Sequence, residues 1–398
     1  MMKPLNNNAH PLESLLKQHC PNGVEYKELG ELELNKILNL GRGKIISQND
    51  LKNCPGEYPV YSSSATKNGE IGKYGRYMFD DERITWSIDG GGKFFYRNNL
   101  KYSVTNVCGW IKVTNTNELN TKYLFYALIS EWTKKKFDYT KKAHPSVIKK
   151  EYQIPIPPLE IQQKIVEILD AFTELQAELQ AELHARRKQY EYYRNKLLSF
   201  EELQRRTDML NGGGLKLVTL GEVCEVKRGV RVTKKDLTEN EKYPVFQNSL
   251  TPMGYYNQSN VNANTPFIIV GGSAGEIGWS SSSCWAADDC IYFICEKSLM
   301  NRFLYHALCN QQHYFLSQVR KASIPRLSQD CIKNLKIPLP PLKVQNDIVE
   351  ILDKFDTLAN DLSAGLPAEI EARQKQYEHY REQLLSFREN ANKRATTK

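Results

Sequence analysis

The spacing of a catalytic nucleophile occurs at Gly271-Gly272-Ser273-Ala274-Gly275, a G-x-S-x-G run. It follows the apolar stretch Phe267-Ile268-Ile269-Val270. Asp288 or Asp289 and then His306 or His313 come after it, the order Ser, Asp, His of an acyl-hydrolase triad. Such a serine needs a helix directly behind it, and Glu276-Ile277-Gly278-Trp279 followed by Ser280 to Ser283 is a poor helix. The corresponding turn in the first half of the chain, Asp89-Gly90-Gly91-Gly92-Lys93, has no serine. A dinucleotide loop fits no better, because Ser273 occupies a glycine position of G-x-G-x-x-G. What remains for these glycines is close backbone approach in a hairpin, for instance to a phosphate.

Other chemistry is missing from the sequence as well. Nine cysteines run from Cys20 to Cys331 without a C-x-x-C pair. Cys284, Cys290 and Cys295 lie close together but have no histidine at ligand spacing, so no metal is expected. The alternation in Cys290-Ile291-Tyr292-Phe293-Ile294-Cys295 predicts a buried strand. An odd number of thiols, an N-terminus from Met1 to Asn8 without an apolar core, and no long apolar run predict a cytoplasmic chain with reduced cysteines and no membrane partner. No G-x-x-x-x-G-K-[ST] phosphate loop occurs. Pro157-Pro158 and Pro340-Pro341 lack the [DN]-P-P-[YF] context with which adenine methyltransferases hold a flipped base. The expectation is a non-catalytic chain that binds no cofactor.

Charge carries more information. The 398 residues hold 54 Lys and Arg against 46 Asp and Glu, a net charge of +8, which matters only where it is concentrated. Lys134, Lys135, Lys136, Lys141, Lys142, Lys149 and Lys150 meet only Asp138 in their own window and interleave with Phe137 and Tyr139. In the second half Lys227, Arg228, Arg231, Lys234 and Lys235 share a turn whose first-half counterpart carries Arg42 and Lys44. A single charge run is ordinarily a solvated face; two at related positions point to a polyanion. Lys and Arg supply phosphate affinity, while Asn and Gln can bond adenine bidentately. The candidate DNA-binding residues are therefore Arg42, Lys44, Ser62, Ser63, Ser64, Lys67, Lys93, Lys141 and Lys142 in the first half. In the second they are Lys227, Arg228, Arg231, Lys234, Lys235, Gln247, Asn248, Lys321 and Arg326.

These candidates must be positioned by a duplicated framework. Ile154-Pro155-Ile156-Pro157-Pro158-Leu159 through Asp170 returns as Ile337-Pro338-Leu339-Pro340-Pro341-Leu342 through Asp353, with 12 of 17 positions identical. A second block, Ala185 to Phe200, returns as Ala372 to Phe387, and the offset grows from 183 to 187, about one helical turn. Apolar residues at Ile161, Ile165, Ile168, Phe172, Leu175 and Leu179, and again at Val344, Ile348, Ile351, Phe355, Leu358 and Leu362, have coiled-coil spacing. The spacing predicts long helices, the first running from 159 to about 206. The extra turn, with Gly365-Leu366-Pro367, should break only the second. The parts before each helix hold short β-branched and aromatic runs with helices near 121–137 and 300–318, giving mixed α+β domains. The expected order is a domain over 1–158, a helix over 159–211, a domain over 212–341 opening on the linker Gly212-Gly213-Gly214, a helix over 342–390 and a tail over 391–398.

Two copies of I-P-[IL]-P-P-L-x-x-Q, each following a basic α+β domain and opening a long helix, resemble the specificity subunit of Type I restriction-modification systems. The resemblance runs from about Cys20 to Phe387. It implies two target recognition domains that each read half of a split double-stranded DNA sequence, and two helices packed as an antiparallel coiled coil with pseudo-twofold symmetry. It also implies two modification subunits that bind S-adenosylmethionine and methylate adenine, and restriction subunits that use ATP and Mg. On that resemblance Pro155, Pro157, Pro158, Leu159 and Gln162, with Pro338, Pro340, Pro341, Leu342 and Gln345, are structural junctions. The competing expectation is a coiled-coil adaptor that assembles proteins without reading DNA.

Overall fold

The computed structural model describes residues 18–63, 67–135, 137, 141–210, 213–238, 241–321, 323–361 and 363–390, with Lys67 described for its backbone only. Ser64, Lys136, Asp138, Tyr139, Gly212 and the tail over 391–398 lie outside the described residues. The chain forms two compact units. One contains the residues up to Glu178 together with those from Glu371 onward; the other is Leu179–Ile370. Each unit thus combines a globular part with a section of both long helices.

The first unit contains β1 (Glu25–Glu28), α1 (Leu29–Leu34), β2 (Leu38–Arg42), α2 (Gln48–Asn53), β3 (Tyr58–Tyr61), β4 (Glu70–Tyr74), β5 (Arg83–Ser87), β6 (Phe94–Arg97), β7 (Ser103–Val104), β8 (Cys108–Val113), α3 (Thr121–Thr133), α4 (Pro145–Glu151) and β9 (Gln153–Ile156). From it runs α5 (Leu159–Leu197). The second contains α6 (Phe200–Met209), β10 (Lys216–Thr219), α7 (Leu220–Val223), β11 (Cys224–Arg228), β12 (Tyr243–Phe246), β13 (Tyr255–Tyr256), β14 (Thr265–Ile269), β15 (Ile277–Ser280), β16 (Trp285–Ala286), β17 (Cys290–Cys295), α8 (Asn301–Asn310), α9 (Gln312–Gln318), α10 (Gln329–Lys333), β18 (Lys336–Leu339) and α11 (Leu342–Asn360), followed by α12 (Leu366–Leu385).

The faint sequence repeat becomes one topology built twice. The antiparallel sheet β2-β8-β5-β6 answers β11-β17-β14-β15, and β1-β9 answers β10-β18. The small sheet β4-β3-β7 answers β13-β12-β16, with β3-β7 and β12-β16 parallel. Strands β5 and β14 are buried along their whole length, as central strands covered on both faces must be. Strand β17 is the one foreseen from the cysteine alternation. The core of the first unit gathers Trp86, Phe94, Tyr123 and Tyr152 with Ile161 and Ile165 of α5 and Leu384 of α12. The second gathers Phe293, Phe303 and Phe315 with Tyr190 and Leu197 of α5 and Ile348 of α11.

The helices depart from expectation in one respect. The first ends at Leu197, about 58 Å from its start. Ser199 then caps a separate helix, its side chain accepting from the Glu202 N–H. The repeat of that Leu-Leu-Ser-Phe sequence ends α12 at Leu385, so the motif is a stop signal in both copies. The second helix does break, ending at Asn360 and resuming at Leu366, and Gly365 fits the join because a Cβ there would strike the carbonyl oxygens of Thr357, Asp361 and Leu358. Within the first unit α5 and α12 run antiparallel, Phe172 stacking on Tyr380 at 5.4 Å while Gln176 donates to Gln374 at 2.9 Å. Within the second, Tyr193 of α5 stacks on Phe355 of α11 at 5.2 Å.

The proline motif works as a joint. Gln162 and Gln345 are wholly buried. Gln162 accepts from the Asn120 N–H at 2.8 Å and donates to the carbonyls of Glu118 and Pro157 at 2.9 and 2.8 Å. Gln345 repeats this with the Met300 N–H and the carbonyls of Ser298 and Pro340, all at 2.8 Å. Further along, Asp170 takes Lys122 Nζ at 2.7 Å and the Tyr126 hydroxyl at 2.6 Å. Its repeat Asp353 takes Arg302 at 2.6 Å and His306 Nε2 at 2.7 Å, with Tyr190 closing the other side of the imidazole at 3.1 Å. Burial pushes Asp353 up, but the hydrogen bonds from His306 and Arg302 and the nearby Arg302 charge outweigh it and hold the carboxylate below its usual range. Burial pushes the His306 imidazole down, with the Arg302 charge adding to that and the Asp353 contact opposing it.

Gln345→Leu should leave one N–H and two carbonyls without partners and destabilise the second unit by about 2–3 kcal/mol, measured by urea denaturation; a loss under about 0.5 kcal/mol would show that the joint adds little to stability. Because the folded chain holds His306 neutral, its contribution is fully present above pH 6.5 and is lost as pH falls below that value. The melting temperature should therefore drop between pH 7.5 and 5.5 more steeply in the wild type than in His306→Gln; parallel curves would show that His306 does not set the slope.

Candidate nucleic-acid interface

Three chain segments meet at one edge of each unit. The first is the end of the outer strand of the large sheet. Beyond β2, Gly43 donates to Cys108 O at 3.1 Å and Lys44 to Val104 O at 3.2 Å. Beyond β11, Gly229 donates to Cys290 O and Val230 to Ala286 O, both at 2.9 Å. A Cβ on either glycine would strike the neighbouring chain, Val104 and Thr105 in one unit, Ala286 and Ala287 in the other. Only glycine lets these backbones approach. Arg42 and Arg228 precede them and are exposed, Arg228 also donating Nε to Asp288 O at 2.7 Å.

The second segment follows the small sheet. The Thr105 N–H bonds Tyr61 O and the Ala287 N–H bonds Phe246 O, both at 2.9 Å. These bonds set Ser62-Ser63 and Gln247-Asn248 at equivalent places. Ser62 accepts from Thr105 Oγ1 at 2.9 Å, and Ser63 accepts from the Asp89 N–H at 3.0 Å and donates to Val107 O, so both hydroxyls serve the turn itself. Gln247 is half-buried and Asn248 exposed, and among the described residues neither side-chain amide has a partner.

The third segment comes from before α4 and α10. Ala143 donates to Ile88 O and Leu327 to Val270 O, both at 2.9 Å. Lys142 and Arg326, one residue earlier, are therefore equivalent. Lys142 Nζ lies 3.2 Å from Asp89 and Arg326 Nη1 2.6 Å from Asp289. The G-x-S-x-G run sits in this corner as a turn. Ser273 N–H donates to Asn248 O at 2.9 Å, strand β15 follows in place of a helix, and His306 is engaged by Tyr190 and Asp353. The close approach of Gly272 is to Asn248 and that of Gly271 is to the Asp289 carboxylate, an internal fit.

The structure thus brings together Arg42, Lys44, Ser62, Ser63 and Lys142 in one unit, and Arg228, Arg231, Gln247, Asn248 and Arg326 in the other. Lys321 and the exposed Arg320 join the second set, because Arg320 and Arg326 pair through their backbones at 2.9 and 3.2 Å. Arg320 was missed in the sequence because its partner lies six residues on. Lys234 and Lys235 are exposed on a short turn over Lys234–Asp236. Other candidates stand apart. Lys93 is half-buried with its ammonium 5.6 Å from the Phe95 ring, Lys227 turns back to Glu225 at 3.1 Å, and Lys141 reaches Glu151 at 2.9 Å. The Lys67 side chain and Ser64 lie outside the described residues. The lysine window is also less positive than its sequence suggests. Lys134, Lys142 and Lys149 contact Glu131, Asp89 and Glu33, acids from outside it.

Comparison with known proteins identifies the family. The family model described as "Type I restriction modification DNA specificity domain" matches twice, over residues 22–186 and 213–372. A type I specificity subunit of Mycoplasma pneumoniae is 31% identical over 369 residues, covering 90% of this chain and 98% of the relative. A type I restriction enzyme specificity subunit of Haemophilus influenzae is 31% identical over 427 residues, covering 96% and 100%. The EcoR124I/EcoR124II specificity subunit of Escherichia coli is 33% identical over 302 residues, covering 68% and 72%. In fold, the S subunit of a Type I restriction-modification system from M. genitalium superposes with a TM-score of 0.64 at 19% identity, covering 96% of this chain and 98% of that one. The duplicated sheets, the paired helices and the two family matches make one conclusion: the chain belongs to the Type I restriction-modification DNA specificity family.

Proposed function

We propose that this chain is the non-catalytic sequence-reading subunit of a Type I restriction-modification complex, each unit reading one half of a bipartite duplex target from the edge described above. The observation that carries the reading is a constant frame with variable side chains. Identical backbone bonds hold Arg42, Lys44 and Ser62-Ser63 in one unit, and Arg228, Val230 and Gln247-Asn248 in the other. A scaffold that reads two different half-sites needs that combination, whereas an adaptor has no use for it. The cations would neutralise phosphates and the amides would meet base edges. The long helices would scaffold two modification subunits, which carry S-adenosylmethionine, and restriction subunits, which carry ATP and Mg. The chain itself would bind no cofactor and work in the cytoplasm.

The governing experiment is methylome sequencing of the host with and without the gene. Loss of one split adenine-methylated motif is expected; an unchanged methylome together with salt-independent DNA binding would favour the adaptor. On duplex DNA, Arg231→Glu and Lys142→Glu should each weaken binding and flatten the plot of log affinity against log salt by about one unit for every phosphate no longer neutralised, measured by fluorescence anisotropy at several salt concentrations. Changing Gln247 and Asn248 together to Ala should alter the preferred sequence of one half-site and leave the other intact. A change in both halves would contradict the assignment of one unit to one half-site.

A further inference from the structure

Beyond each frame glycine the chain presents two side chains whose order is reversed between the units. The position after Gly43 holds Lys44 and the next holds Ile45; the position after Gly229 holds Val230 and the next Arg231. Each tip therefore carries one cation and one branched aliphatic, swapped. Ile45 is 79% exposed and Val230 57%. A lone exposed aliphatic is ordinary on a protein surface. These two differ in three ways. They recur within one residue of the same frame position, they are flanked by exposed Arg42 and Lys44 or Arg228 and Arg231, and the backbone is held at Val230 itself by its bond to Ala286 and at the residue next to Ile45 by the bond from Lys44 to Val104. A β-branched side chain on a fixed backbone has few rotamers to lose. It is presented rather than left loose.

Phosphates offer such a group nothing, and base edges in the major groove carry one apolar feature, the C5 methyl of thymine. We propose that Ile45 and Val230 are specificity-determining side chains that each read a thymine methyl, one in each half-site. This rests on reading the chain as a bipartite DNA reader. The swap then has a consequence: the methyl contact and the cation contact exchange places between the units, so the two half-sites differ in where the thymine stands.

The test uses the full chain with whatever proteins accompany it from its host. A random-sequence duplex pool is enriched for bound molecules, and in the resulting target each thymine is replaced in turn by uracil, which removes only the methyl. The wild type should lose about fourfold in affinity at one position per half-site, the factor for one methyl-sized group taken out of water. Ile45→Ala should abolish that loss in one half and keep it in the other, Val230→Ala should do the reverse, and both should keep the wild-type salt dependence and melting temperature. An enriched target with a flat uracil scan, or a scan that neither substitution changes, overturns this proposal and leaves the DNA-reading function standing. Failure to enrich any target overturns that function, and this inference with it.

Discussion

The structure depends on a buried amide. Gln162 and Gln345 each occupy the first turn of a long helix with no exposure, and all of their partners are backbone groups. An amide in a low-dielectric joint must fill its bonds, since each unmade one costs about 1–3 kcal/mol. That requirement fixes the helix start against the N-terminus of the helix over the sheet, Asn120 before α3 and Met300 before α8. The prolines supply the complement. Their missing N–H groups remove competing donors, and their carbonyls, Pro157 and Pro340, accept from the same amide. Asp170 and Asp353 then fix a second point about two turns along the helix, so that within each unit sheet and helix behave as one body.

Such a frame explains how function can vary while the fold does not. The bonds that place the candidate edge are backbone to backbone, from Lys44 to Val104 and from Val230 to Ala286. Substituting Lys by Val at that position breaks none of them. The same logic holds at Ser62-Ser63 against Gln247-Asn248, where strand ends set the position and side chains are free to change. A fold retained at 19% identity across whole chains is the expected result of a scaffold specified by its joints.

Much of this was legible in the sequence because the joints repeat. The proline motif, the helix stripes, strand β17 and the break at Gly365 all announce themselves through local spacing. The length of the first helix did not, because the stop at Leu198-Ser199 depends on a serine cap that competes with an otherwise continuous apolar pattern. The stripe also drifts: Leu169 and Leu352, outside the expected positions, are fully buried while Ile168 and Ile351 are only partly so. The candidate edge was half legible. Arg42, Arg228 and Gln247 could be found from sequence composition, but Arg320 could be placed only by its pairing with Arg326. The equivalence of Lys142 and Arg326 rests on hydrogen bonds from Ala143 to Ile88 and from Leu327 to Val270, residues just past β5 and β14 and more than fifty positions earlier in the chain.

The acids at the edge have a part of their own in this arrangement. Asp89 and Asp289 sit against Lys142 and Arg326, and at first sight they cancel the charge a polyanion needs. Each pair joins an exposed cation to a half-buried carboxylate, and because water still reaches and screens it, the pair is worth about 1 kcal/mol. A phosphate contact draws on release of condensed counterions and outweighs it at low salt. In the proposed role the carboxylates would cost little in affinity while holding Lys142 and Arg326 in place before a ligand arrives. Prior placement lowers the entropy lost on binding. At the Lys142 and Arg326 corners an incoming phosphate would have to displace a carboxylate, so these two positions would favour a ligand that meets several cations at once.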